Sequence, residues 1–261
     1  MTAHRLEHSA TELIALARQQ TGIHDIVDDA IAERLERLVA SLNDDAQLNE
    51  RGAIGMERHL LRILANRLRM LRDFRDHPEI AEQAIAPPLI MSGGPRTGST
   101  KLHKMLAASD DFRYQLYWQG YSLSLRSGDR NEPPEPRIRD AAAHVEWFNR
   151  HAPEARFTHA FDTFEVEEEN MILEHCLYPP YLPPFVMVPS YVMWAMPQGF
   201  QTDWDFLRKS LQYLQWQFPE GGAKRWLLKN PGYVGMELEL AQVFPGAVFV
   251  TTNRDPVATM S

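Results

Sequence analysis

Leu89-Ile90-Met91-Ser92-Gly93-Gly94-Pro95-Arg96-Thr97-Gly98-Ser99-Thr100 passes from a short apolar run into a turn rich in glycine and proline. Lys101-Leu102-His103-Lys104-Met105-Leu106 follows, with its apolar residues at helical spacing. The pattern predicts strand, loop and helix. A helix entered through such a loop offers unpaired N–H groups and the positive end of its dipole, which suits an anion, most often a phosphate. The spacing Gly93-x4-Gly98 is that of a nucleotide-binding P-loop, but Ser99-Thr100 stand where that loop requires a lysine followed by a hydroxyl residue. Arg96 is the cation available inside the loop, and a guanidinium can hold phosphate or sulfate oxygens bidentately. Ser99 and Thr100 add hydroxyl donors. The plainer alternative is a βα turn with its arginine in solvent.

The chain has 261 residues, 44% hydrophobic and 24% charged, enough for one sizeable α/β domain with an appended piece. Its formal net charge of −8 argues against a broad nucleic-acid footprint, so an anion site has to be local. The single cysteine, Cys176, excludes an internal disulfide and reads as a buried, inert thiol. No uninterrupted apolar run has the length of a membrane span, and Glu7 and Glu12 interrupt the place where a secretory signal would be apolar. The expected location is cytoplasmic.

From Leu6 to about Ile85 the apolar residues recur with helical period, and His77-Pro78 and Pro87-Pro88 end the last helix. Residues 1–86 are therefore read as a helical N-terminal extension and 87–261 as the α/β domain. In the domain, the run Glu165-Val166-Glu167-Glu168-Glu169 follows His159; its plain reading is a solvated first turn of a helix, and its sharper one a catalytic base. The segment from Tyr178 to Trp194, aromatic and broken by prolines, could cover the core, but aromatics on loops also suit a pocket for an apolar ligand. Arg225-Trp226-Leu227-Leu228-Lys229 predicts a buried strand, with Lys229-Asn230-Pro231 at the carboxyl end where open α/β sheets place ligands. A further strand, Val248 to Thr252, leads to Asn253-Arg254-Asp255-Pro256, and the βα alternation implies a parallel central sheet flanked by helices.

Pro95-Arg96-Thr97-Gly98-Ser99-Thr100 resembles the 5′-phosphosulfate loop of the sulfotransferases that use 3′-phosphoadenosine-5′-phosphosulfate (PAPS), and Val248 to Pro256 resembles their 3′-phosphate strand and turn. Lys229-Asn230-Pro231 is similar to a family element, and so is His159 ahead of Glu167-Glu168, although Val166 stands where a proline is usual. The resemblance covers Pro88 to Ser261. It implies a P-loop sulfotransferase-like fold and PAPS as donor, with PAP as product and no metal. Gly94, Pro95, Arg96, Thr97, Gly98, Ser99 and Thr100 would bind the 5′ end. Arg254 and Ser261 would bind the 3′-phosphate, although Ser261 lies one position nearer the arginine than is usual. Arg96 and Lys229 would stabilise the leaving oxygen, and His159, Glu167 or Glu168 would be the base, with the choice among them open. The acceptor is expected to be a small hydroxyl compound, apolar or aromatic. Relatives continue past Ser261, so the domain is expected to be incomplete at its C-terminal end, and an exposed sheet edge would promote homo-oligomers. Two competing classes remain: a P-loop kinase or NTPase, against which the missing lysine argues, and a catalytically inactive helical interaction module.

Overall fold

A computed structural model describes residues 3–157, 159–181, 186–255, 257 and 259. Helix α1 (Ala10–Thr21) opens with a capping box in which Ser9 and Glu12 satisfy each other's backbone N–H groups, and ends at Gly22 in the left-handed region. Helices α2 (Asp29–Asp44) and α3 (Glu50–Asp76) follow, the second capped by the Asn49 side chain. Strand β1 (Leu89–Ser92) leads through the glycine loop to α4 (Ser99–Ala107), and then come β2 (Phe112–Arg113), α5 (Tyr117–Tyr121), α6 (Glu135–His151) and α7 (Asn170–Leu173). Helices α8 (Pro189–Ala195) and α9 (Gln201–Gln217) precede β3 (Arg225–Lys229), α10 (Glu237–Val243) and β4 (Val248–Thr251). No helix among the described residues is long and apolar enough to cross a membrane.

The chain forms two compact units. One comprises residues 1–78, 124–132 and 173–203. Its core takes Leu13 and Ala17 of α1, Ile31, Leu35, Leu38 and Leu42 of α2, and Leu60, Ile63, Leu64 and Leu68 of α3, the stripes that helical periodicity predicts. Leu177, Val186, Val188 and Tyr191 complete it, so much of the described proline-broken segment covers this core; residues 182–185 lie outside the described set. Several buried polar groups here are paired. Arg34 grips Asp203 through two nitrogens at 2.5 and 2.9 Å, and His175 bonds Asn66 at 2.9 Å. His175 is thereby a structural group of this unit.

The other unit comprises residues 79–123, 133–172 and 204–261. Its sheet has the strand order β2-β3-β1-β4, and all pairings are parallel. The register sets Met91 opposite both Lys229 and Val250, and Ser92 opposite Thr251, so that β1, β3 and β4 end at one edge. Ile90, Met91, Leu227 and Leu228 are buried, as expected for parallel strands covered on both faces. Val248, on the outer strand, is 45% exposed. Leu227→Ala should therefore cost about 3–4 kcal/mol and Val248→Ala about 1 kcal/mol or less. Equal losses in urea unfolding would show that the sheet centre is not where stability is concentrated.

Candidate active site

The loop between β1 and α4 departs from ordinary backbone twice. Arg96 sits at φ 65°, in the left-handed region, and Gly93 at φ 147° lies so close to β4 that an added Cβ would stand 2.2 Å from Thr252 Oγ1. Only glycine fits there. Gly98 occupies the N-cap of α4 without a capping side chain, leaving the first-turn N–H groups turned toward the loop. Pro95, Arg96, Gly98 and Thr100 are exposed, Gly94 and Thr97 half-buried, and Ser99 buried. Among the described residues the Arg96 guanidinium has no acceptor, while its carbonyl accepts from Arg254 Nη1 at 3.4 Å. This cradle of N–H groups with two cations beside it, Arg96 and Arg254, suits a phosphate or sulfate. Pro256 and Ser261 lie outside the described residues.

Lys229, at the carboxyl end of β3, is buried. Its ammonium pairs with Glu168 Oε1 and donates to Thr100 Oγ1 at 3.4 Å, which ties the acidic run to the first turn of α4. The plain expectation of a solvated helical turn fails at Glu167, Glu168 and Glu169, all of them buried. The reason is a non-local pairing. Residues 163–167 run along the segment from Gln115 to Trp118, with Tyr117 N–H donating to Glu165 O at 3.0 Å, Trp118 N–H to Thr163 O at 3.2 Å and Glu167 N–H to Gln115 O at 3.1 Å. The run is thus extended and precedes α7 rather than opening it. Glu165 alone stays in solvent, paired with Lys104 at 2.9 Å.

Each buried carboxylate has its own partners. Both oxygens of Glu167 lie 2.9 Å from His159 Nε2, and Oε1 also accepts the Glu168 N–H at 2.8 Å. A carboxylate only accepts, so Nε2 carries the proton and the lone pair of a neutral His159 is at Nδ1. That nitrogen stands 3.9 Å from Glu168 Oε1, and the His159 side chain is 29% exposed. Burial alone pushes the imidazolium down, but the Glu167 hydrogen bond and the Glu167 and Glu168 charges outweigh it and raise His159 above the usual histidine range. Glu168 Oε2 accepts from Asn170 at 3.0 Å, so both of its oxygens are engaged. The donor atoms of His159, Glu167 and Glu168 also lie within 4.8 Å of one another, close enough to share a cation.

Several residues that sequence reasoning passed over complete the neighbourhood. Glu169 Oε2 accepts from Tyr233 OH at 2.9 Å and from the Lys229 N–H at 2.8 Å, and burial holds its carboxyl well above the ordinary range. Asn230 bonds Asn170 at 2.8 Å. His103, on α4, is 2% exposed, and among the described residues its Nε2 has no hydrogen-bond partner. Burial first, then the charges of Lys229, Lys104 and His159, push it down to about 3, so it stays neutral. Its helical spacing from Ser99 and Thr100 was the only signal in the sequence, and that spacing reads equally well as core.

The model of the Sulfotransferase family matches residues 87–261. The chain belongs to the sulfotransferase family. Of solved structures, the sulfotransferase STF1 from Mycobacterium tuberculosis H37Rv matches with a TM-score of 0.77 and 25% identity, over 96% of this chain and 68% of that one. The sulfotransferase STF9 from Mycobacterium avium matches with a TM-score of 0.75 and 24% identity, over 95% of this chain and 63% of that one. The chain therefore spans about two thirds of the length of these two structures. No curated protein matches it significantly. Membership of the sulfotransferase family implies a sulfonate donor such as PAPS, and the uncapped α4 terminus, the Gly93 cradle and Lys229 suit the anionic end of such a donor.

The buried Glu169 allows a test that separates scaffold from chemistry. Its raised folded-state pKa means that its favourable contribution is complete below the ordinary carboxyl pKa of about 4.3 and is lost as pH rises through the raised value. Glu169→Gln keeps an acceptor for Tyr233 and the Lys229 N–H without a charge, so at pH 8 its thermal midpoint should equal or exceed that of the unsubstituted protein. Glu169→Ala leaves both donors unpaired and should lower the midpoint by roughly 5–10 °C. If Gln proves as damaging as Ala, Glu169 is not the neutral acceptor described.

Proposed function

We propose that this chain transfers the sulfuryl group of PAPS to the hydroxyl of a small apolar or aromatic acceptor. The observation that carries the reading is the set of bonds His159–Glu167, Glu168–Lys229 and Lys229–Thr100, which puts a half-buried imidazole next to the glycine loop. In this reading the loop from Gly94 to Thr100 holds the 5′-phosphosulfate, and Arg254 holds the 3′-phosphate, with Ser261 as its further partner. His159 Nδ1 takes the proton as the acceptor oxygen bonds to sulfur, and the bond between sulfur and the phosphate oxygen breaks. Arg96, Lys229 and the α4 N–H groups receive the negative charge left on PAP. Positioning and fixed donors supply most of such a rate enhancement, because the transferred group stays loosely bonded in line.

His159 is favoured over the glutamates because Glu168 is held on both oxygens and Glu167 is spent on orienting the imidazole. Aromatic rings beside it support an apolar acceptor. Phe161 lies 4.8 Å from the His159 ring, 5.4 Å from Tyr117 and 5.0 Å from Phe148, centroid to centroid.

Addition of PAP should raise the thermal midpoint, and Arg96→Ala should weaken PAP binding by about 10–100-fold through loss of a charge-assisted contact. Stabilisation by ATP with magnesium and none by PAP would instead favour an NTPase. His159→Ala should lower kcat by about 10²–10⁴-fold. Glu167→Gln removes the charge that raises His159, so the acid limb of the kcat profile should move to lower pH; an unmoved limb would take the base role from His159. Chelation with EDTA should leave turnover unchanged, and a loss restored by a divalent ion would assign the His159–Glu167–Glu168 cluster to a metal.

A further inference from the structure

We infer that Thr252 is a positioning residue for the donor, its hydroxyl fastening the anion loop to the end of β4 so that the loop and the Arg254 turn act as one rigid site. The inference rests on the reading that this loop takes PAPS. Thr97 Oγ1 donates its one proton to Gly94 O at 2.8 Å. Thr252 is then the donor in the 2.7 Å contact between Thr97 Oγ1 and Thr252 Oγ1, an order favoured because the Thr97–Gly94 contact is much shorter than the 3.5 Å from Thr252 Oγ1 to its own alternative acceptor, Ser92 O. A relay results, from the Thr252 hydroxyl through the Thr97 hydroxyl to the Gly94 carbonyl. It closes the stretch from Gly94 to Thr97 that contains Arg96, whose left-handed backbone needs its surroundings to hold it.

Three further contacts bring the same two segments together. Thr252 N–H donates to Ser92 O at 3.0 Å, extending the β1–β4 ladder by one residue. Gly93 packs against Thr252 with no room for a side chain. Arg254, two residues on, donates to the Arg96 carbonyl at 3.4 Å. Arg96 is thus fixed on one flank by the relay and on its carbonyl by the arginine proposed for the other end of the nucleotide. Binding at either end would then draw on geometry that Thr252 maintains.

The substitutions that test this separate shape from hydrogen bonding. Valine keeps the branched outline of threonine and loses the donor; serine keeps the donor and loses the methyl. Calorimetric titration with PAP should give about 10-fold weaker binding for Thr252→Val and binding within about 3-fold of the unsubstituted chain for Thr252→Ser. Thr97→Val removes that bond together with the Thr97–Gly94 bond, so the double variant Thr97→Val/Thr252→Val should bind little worse than Thr97→Val alone. PAP binding by Thr252→Val equal to the original, or Thr252→Ser no better than Thr252→Val, overturns the inference while leaving the nucleotide site standing. Should Thr252→Val fail to fold, Thr97→Val against the original chain decides, and unchanged PAP affinity there overturns it equally. No PAP binding by the unsubstituted chain overturns the functional reading and this inference with it.

Discussion

Pairing of β1 with a parallel strand on each side is the constraint on which the candidate site depends. A parallel ladder in register leaves its strands' carboxyl ends level, and here Gly93, Asn230 and Thr252 leave the sheet side by side. The ladder runs one residue past the strands on both sides, with Asn230 N–H on Met91 O and Thr252 N–H on Ser92 O. The turns therefore begin from fixed backbone. Because β1 and β3 are short and their middle residues apolar and buried, the polar work is confined to this edge, where a loop of glycines can approach β4 and a helix can start.

Electrostatics add the second layer. Three consecutive glutamates are buried in a chain that is already acidic, and a buried charge is tolerated only when paired and hydrogen-bonded. Each solves this differently. Glu167 is covered by His159 and a backbone N–H, Glu168 by the Lys229 ammonium and the Asn170 amide, and Glu169 by two donors and a raised proton affinity. Lys229 supplies both its ammonium and its backbone N–H to this set, so it neutralises one acid and satisfies another while facing Thr100 of the anion loop. Its ammonium is thus already committed to Glu168, and in the proposed reading the backbone donors of α4 would carry much of the attraction for an anion.

What could be read from the sequence was what local chemistry specifies. The turn at Gly93 to Gly98, the helix behind it, the short strand ending at Lys229 and the helical stripes through Leu35 and Leu64 follow from residues near one another in the chain, and the structure contains each of them. The burial of Glu167, Glu168 and Glu169 did not follow, because it depends on residues 163–167 lying along Gln115 to Trp118, a pairing between segments that carry no mutual signal. Thr252 escaped notice for the same reason: a threonine near a strand end is unremarkable until Thr97 is found opposite it.

Two imidazoles near Lys229 show how the arrangement assigns its protons. His103 and His159 start from the same intrinsic affinity, and both lose solvent. Glu167 compensates that loss for His159, and nothing among the described residues does so for His103, which faces the charges of Lys229, Lys104 and His159 instead. Their affinities are driven apart, which is how one site obtains a distinct proton carrier from identical groups. Of the two imidazoles, His159 holds a proton the more readily, next to the carboxylate that orients it, while His103 on the loop helix stays uncharged. Neutral, it adds no further positive charge near Lys229, whose pair with Glu168 ties the acidic run to Thr100.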